Sequence, residues 1–208
     1  MPRISKEEMS CRREEIINTC EQLYKTKSFK EITIKDIGAQ LPFTRTAIYS
    51  YFQTKEEIFL ALLQREYELW ICDIDEIHDK NETLTHDELA KRLAQSLEKR
   101  NLLLKLMSMN NFDMEEESRV ENLIDFKRAY GGSLRAVKRC FDKFFSDRSE
   151  KERQDMLYSF FPFMFGIYPY TCVTDKQRSA MEQADVGFIY STIYELTYRF
   201  LGKLFGGV

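Results

Sequence analysis

Helix-starting signals punctuate this sequence, and helix breakers are scarce between them. A Ser or Thr stands three residues ahead of an acidic residue or Gln at Thr33/Asp36, Thr54/Glu57, Thr85/Glu88, Ser118/Glu121, Ser149/Glu152 and Thr174/Gln177. At that spacing the hydroxyl accepts the amide of the third residue. The third side chain reaches back to the first residue, so two of the amides that a helix start leaves free are satisfied. Only 4 Pro and 8 Gly interrupt 208 residues, so few places stop a helix once it has begun. Behind the caps, apolar residues recur at a period of about 3.6, and no strand-like alternation persists. The expectation is an all-α chain of about ten helices.

Cap and periodicity place helices at roughly 6–27, 33–41, 44–51, 54–78, 85–99, 102–112, 118–145, from 149 onward, 174–183 and 186–205. Pro42 is expected to end the second, because it disfavours helical Leu41 and has no amide to donate. Pro162 is expected to kink the helix that begins at Ser149. In the first helix, Met9, Arg13, Ile16, Cys20 and Leu23 share a face. The charged runs at 115–117 and 147–155 read as solvated faces.

The formal net charge is −3, which speaks against a general coat for nucleic acid. Residues 1–60 hold ten Lys/Arg and nine Asp/Glu, so DNA binding there depends on where charges sit rather than on bulk charge. No apolar run approaches the roughly 20 residues of a membrane span. The first residues lack the apolar middle of a secretory signal. The five Cys are spread out with no Cys-x-x-Cys, and there are two His. No metal or other cofactor is expected, and a reduced, cytoplasmic protein is the simplest reading. No nucleophile–base pairing, His-Glu-x-x-His or Gly-rich phosphate loop suggests an enzyme.

Residues 9–63 carry the functional signal: helix, short helix, tight turn, short helix, capped long helix. That is the layout of a helix-turn-helix domain, whose second short helix enters the major groove. Arg45 can donate twice to guanine O6 and N7. Thr44 and Thr46 are short hydroxyls that fit near a nucleic-acid backbone. Tyr49 and Tyr51 carry phenols suited to phosphate oxygens, although Tyr49 can equally pack inside the small domain. Lys55 and Thr33 lie at helix N-termini, where free amides favour an anion. These seven residues are the candidate DNA contacts.

The run Thr44-Arg45-Thr46-Ala47-Ile48-Tyr49-Ser50-Tyr51-Phe52-Gln53-Thr54-Lys55-Glu56-Glu57-Ile58 resembles the signature of TetR-type transcriptional regulators. Upstream, Phe29-Lys30-Glu31-Ile32-Thr33-Ile34-Lys35-Asp36-Ile37 is similar to that family's second helix. The turn departs from the usual Ala-Gly-Val-Ser, reading Leu41-Pro42-Phe43-Thr44. Thr46 stands where Gly is common, and Gly38 where Ala is usual. The resemblance implies a helix-turn-helix domain, here 1–54, followed by a larger helical ligand-binding and dimerisation domain, 55–208. It further implies a homodimer on a palindromic double-stranded operator, most often a repressor released by a small molecule. A ligand-independent architectural DNA-binding protein on the same fold is the alternative.

The effector itself is not legible. Met107, Phe112, Phe126, Tyr130, Phe160, Met164 and Tyr168 are the candidate pocket side chains, equally compatible with plain core. They favour an apolar or aromatic compound. The last helix is apolar on nearly all sides, which requires burial on all sides. Ile189, Ile193, Leu196 and Phe200, with Phe161 from the preceding long helix, are the candidate dimer interface.

Overall fold

A computed structural model of the chain describes residues 5–109 and 111–206, with the backbone alone of residues 6 and 111–113. Among them are eleven helices and no strand. In chain order these are α1 (Lys6–Tyr24), α2 (Ile34–Gly38), α3 (Arg45–Ile48), α4 (Lys55–Lys80), α5 (His86–Lys99), α6 (Asn101–Met107), α7 (Asn111–Glu116), α8 (Val120–Phe144), α9 (Glu150–Thr171), α10 (Asp175–Gln183) and α11 (Ile193–Leu204). The all-α expectation holds. Among the described residues no helix is long and apolar enough to cross a membrane, and no three His, Cys, Asp or Glu side chains gather as a metal site.

The caps explain most helix starts. Reciprocal boxes form at Thr33/Asp36, Thr85/Glu88, Ser149/Glu152 and Thr174/Gln177, as the spacing predicts. A fifth, Thr192/Glu195, starts α11, so the last helix begins seven positions later than its apolar pattern suggests. Ser118 makes no such cap. Its hydroxyl donates to the Met114 carbonyl at 2.7 Å.

Other boundaries move for local reasons. The second helix stops at Gly38, short of Pro42. The Gln40 and Leu41 amides turn back to Ile37 and Gly38, tightening the last turn. The helix expected over 102–112 is two pieces, α6 and α7. In α9 the helix continues through both Pro162 and Pro169.

The chain divides into two compact units, Met1–Arg65 with Asn110–Arg128, and Glu66–Met109 with Ala129–Val208. Helices α4 and α8 contribute residues to both.

In the first unit, Ile16, Ile17, Cys20, Leu23 and Tyr24 of α1 are buried with Ile32, Ile37, Ile48, Phe52, Ile58 and Phe59. Tyr24 and Phe29 both meet the Phe59 ring edge-on, with centroids 5.1 and 4.8 Å away. Met9, on the helix face it shares with Ile16 and Cys20, is exposed. Arg65 donates to Asn18 at 2.6 Å and Glu21 at 2.5 Å, tying α4 to α1. Burial pushes the Cys20 thiol up to about 12, with Arg65 opposing the shift. That thiol is inert core rather than a redox switch.

The second unit is built on a pack of aromatic rings. Trp70 is fully buried, its indole N–H donates to Ser96 at 3.1 Å, and it meets the rings of Phe160 and Phe161. Tyr130 touches Tyr67 and Phe161 edge-on. Phe141, Phe145 and Phe205 form a second cluster. Helix α11 packs on α5, with Ile193, Thr197 and Leu201 buried on one side and Ala90, Leu93, Ala94 and Leu97 on the other.

Candidate nucleic-acid interface

Three features set the geometry around α3. Thr33 caps α2: its hydroxyl accepts the Asp36 amide and donates to the Asp36 carboxylate, which also accepts the Thr33 amide. Those bonds from the Thr33 hydroxyl and amide hold the Asp36 carboxyl below its ordinary range. Gly38 then lets α2 approach α3 closely. A Cβ placed there would lie 3.2 Å from Cβ and Cγ of Arg45, so even Ala needs its neighbour to give way. Finally Ile48 and Phe52, four residues apart, are buried and anchor the segment from inside.

The anchors leave one side of α3 in solvent. Thr44, Arg45, Thr46, Tyr49 and Ser50 are exposed, Tyr49 by 47%, while Tyr51 is half-buried. Tyr49 therefore faces outward, which resolves the open alternative for that residue. Thr44 is the N-cap of α3 but makes no side-chain cap bond, so its hydroxyl is uncommitted. Among the described residues no ion pair engages Arg45, Lys30 or Lys35. Lys55 is more constrained: its ammonium donates to the Phe29 carbonyl at 2.9 Å and lies 4.2 Å over the Phe29 ring. Thr33 is likewise occupied by its cap.

Beneath α3 lies a group that local sequence signals did not reveal. Thr54 accepts the Glu57 amide at 3.2 Å, as its cap spacing predicts, but the Glu57 carboxylate is spent elsewhere. One oxygen accepts the Gln53 amide at 2.7 Å and Arg119 Nη2 at 2.9 Å. The other accepts the Arg119 amide at 3.0 Å and Arg119 Nε at 2.7 Å. Glu57 is buried. Arg119 Nη2 also donates to the Tyr51 carbonyl at 3.0 Å, and the Thr54 hydroxyl to the Glu117 carbonyl at 3.1 Å. Arg119 lies 62 positions from Glu57, beyond the reach of any periodicity argument.

Burial alone would raise the Glu57 carboxyl, but the bonds from Arg119 and from the Gln53 and Arg119 amides outweigh it and hold it below its ordinary 4.5. A depressed carboxyl contributes stability that is whole above its unfolded value and is lost as pH falls through its folded value. The denaturant midpoint is therefore expected to fall as pH drops below 4.5. Glu57→Gln should start lower and decline less steeply. Parallel declines for the two proteins would remove this linkage.

The remaining sequence candidates are dispersed. Met107, Phe160 and Met164 are buried core of the second unit, and Tyr130 and Tyr168 are half-buried there. Burial raises the Tyr168 phenol to about 12. Phe126 is buried but belongs to the first unit, and the Phe112 side chain lies outside the described residues. Four surface clefts of the second unit are lined by other residues, such as Tyr190, Tyr194 and Tyr198, or Asp73, Arg92 and Lys99.

Of the dimer candidates, Phe161 is 2% exposed and packs on Trp70, Tyr130 and Phe160, so it serves the subunit's own core. Ile193 is buried under α5 in the same way. Ile189 is 80% exposed but precedes α11, outside any helix. Leu196 and Phe200 are half-buried. A row absent from the sequence reading runs along α9: Tyr158, Pro162, Gly166, Pro169 and Tyr170 are all exposed.

A capped helix, a close turn and a short outward-facing helix held from behind define a helix-turn-helix DNA-binding protein. Residues 16–62 match the model of the bacterial regulatory proteins of the tetR family, and residues 64–199 match a tetracyclin repressor-like C-terminal domain. The chain belongs to the tetR family of transcriptional regulators, whose members are not enzymes. Over 63 residues it is 32% identical to an uncharacterized HTH-type transcriptional regulator, YfiR, of Bacillus subtilis (strain 168). That match spans 30% of this chain and 31% of the relative. Solved structures share the fold at low identity. The fatty acid degradation regulator FadR from Bacillus halodurans has a TM-score of 0.59 at 15% identity, covering 94% of this chain and 98% of that one. The MbdR regulator from Azoarcus sp. CIB gives 0.55 at 20%, covering 94% and 97%. A TetR-family regulator from Marinobacter aquaeolei VT8 gives 0.60 at 16%, covering 92% and 98%.

Proposed function

We propose that this protein is a homodimeric, operator-specific repressor of the cytoplasm, released from DNA by a small molecule. The observation that carries the reading is the orientation of α3. Ile48 and Phe52 point inward, while Thr44, Arg45, Thr46 and Tyr49 are left to solvent on one short helix. Arg45 reads guanine, and Thr44, Thr46, Tyr49 and Tyr51 hold the DNA backbone. Thr33 and Lys55 contribute through the α2 and α4 N-termini. Along the chain the helix-turn-helix domain is taken as 1–54 and the ligand-binding and dimerisation domain as 55–208, although the compact unit that holds α1–α3 also takes in residues up to Arg65 and 110–128.

The partner on the dimer side is a second copy, seated on α9 and α11. Positions 158, 162, 166 and 169 recur at helical spacing, so they form one stripe. Phe163 and Phe200 stack at 4.0 Å with their planes 2° apart, joining α11 to α9, and Leu196 lies on the same helix. Two-fold pairing there presents two α3 helices to successive major grooves, about 34 Å apart. Effector binding in the second unit favours a different separation, and α4 and α8, with residues in both units, are its covalent routes. A coupling of about 1–3 kcal/mol weakens the complex some 5–150-fold.

The test is selection from a random duplex pool, with sedimentation of the free protein. The expected result is a dimer that enriches a palindrome, bound about 10³-fold or more tighter than unselected duplex. A single-subunit protein that enriches nothing at low salt would end this reading. The second reading, a ligand-independent architectural protein, draws on the close burial of Met107, Phe160 and Met164. It requires weak selectivity and no compound that releases the duplex.

A further inference from the structure

We propose that Arg119 is a positioning residue for DNA recognition, clamping the back of the reading segment through Glu57 and the Tyr51 carbonyl. The inference rests on α3 being the reading helix, as proposed above. Helix α3 has four residues, far fewer than an isolated helix needs to persist in water. Something must hold it. Its N-cap Thr44 makes no side-chain bond, and its apolar anchors are Ile48 and Phe52. Two side chains, Glu57 and Arg119, hydrogen-bond the backbone at the end of this segment. Arg119 takes the Tyr51 carbonyl, and Glu57 takes the Gln53 amide. The guanidinium grips both oxygens of the carboxylate with two nitrogens, an arrangement that fixes angle as well as distance.

The pair is nearly saturated. The buried carboxylate accepts four bonds, two from side-chain nitrogens of Arg119 and two from backbone amides. A lysine in place of Arg119 supplies charge without the planar fork, so it cannot hold Glu57 and the Tyr51 carbonyl together in the same geometry. The Arg119 amide is itself a ligand of Glu57, which places the start of α8 in the same constellation as the end of the reading segment. Removal of the side chain should leave the apolar core of the unit in place and loosen residues 49–53.

The full-length protein and its Arg119→Ala and Arg119→Lys variants are compared by three measurements. These are affinity for the duplex that the wild type selects, thermal melting, and amide hydrogen exchange. The expected result for Arg119→Ala is affinity reduced about 2–30-fold, with exchange faster at Tyr51, Phe52 and Gln53 but not in α1 or α5. Arg119→Lys should recover melting more fully than affinity. Three outcomes overturn the proposal: unchanged affinity, unchanged exchange at those amides, or an affinity loss that follows melting and vanishes when both variants are measured well below their transitions. A wild type that selects no duplex removes the reading beneath the proposal, and is recognised as such because it fails before any variant is compared.

Discussion

Gly166→Glu is expected to yield folded single subunits that hold the selected duplex about 10²–10⁴-fold more weakly than the wild type. Gly166 lies on the exposed face of α9, and a Cβ built there meets nothing within 4 Å. Inside the subunit the change is therefore free of clash. It should even favour the helix by a few tenths of a kcal/mol or more, because Gly is a poor helix residue. Along α9 the same position lies between Pro162 and Tyr170, in the stripe proposed to receive a second copy. Two carboxylates brought together about a two-fold axis in an apolar contact repel each other and lose their water. Affinity then falls because each half-site must be bound separately, without the effective concentration that a joined partner supplies. Sedimentation equilibrium with fluorescence anisotropy on the same preparation decides the matter. A variant that stays dimeric at micromolar concentration places the interface elsewhere.

Arg45→Ala is expected to weaken binding by about 1–3 kcal/mol per half-site, twice that for a dimer, and to relax selectivity at one base position. The fold should survive. Ala keeps the Cβ that Gly38 accommodates, and Arg45 has no ion pair within the described residues to lose. Phosphate contacts behave differently. If the Tyr49 phenol holds backbone rather than bases, as proposed above, Tyr49→Phe should weaken all duplexes nearly alike. Reselection from a random pool separates the two effects. If Arg45→Ala returns the wild-type sequence with undiminished stringency, Arg45 does not read a base.

How much was legible beforehand depends on how far each interaction reaches along the chain. Boxes at Thr33, Thr85, Ser149 and Thr174 were readable because both members lie within one turn. The inward face of Ile48 and Phe52 was readable for the same reason. At Thr54 the nearer half of the cap formed as its spacing predicts, but Glu57 turned to Gln53 and Arg119 instead of reaching back. A bidentate charged partner outcompetes one backbone amide, and nothing near Glu57 announces residue 119. Ser118 makes no cap nearby because its own groups point backward: its amide bonds to the Glu115 carbonyl and its hydroxyl to the Met114 carbonyl.

The apolar patterns misled in a different way. The stretch 186–205 is rich in Ile, Leu, Phe and Tyr throughout, yet helix begins only after the Thr192 box. Periodicity shows that a segment has an apolar side without showing which neighbour takes it. Phe161 and Ile193 were read as interface, but Trp70 and α5 of the same subunit already cover them. That Tyr158, Pro162 and Gly166 are exposed was not legible either, because exposed apolar residues look like core residues until the core has been filled.

Composition, caps and the run from Thr44 to Ile58 determined by themselves that this chain is helical and carries a DNA-reading motif, because those signals act within a few residues of backbone. Tertiary structure alone decided which apolar side chains the subunit's own core covers, and that Arg119 joins the unit of α1–α3 through the buried Glu57 carboxylate. Burial and charge pairing are settled between segments distant in sequence, so no local pattern records them.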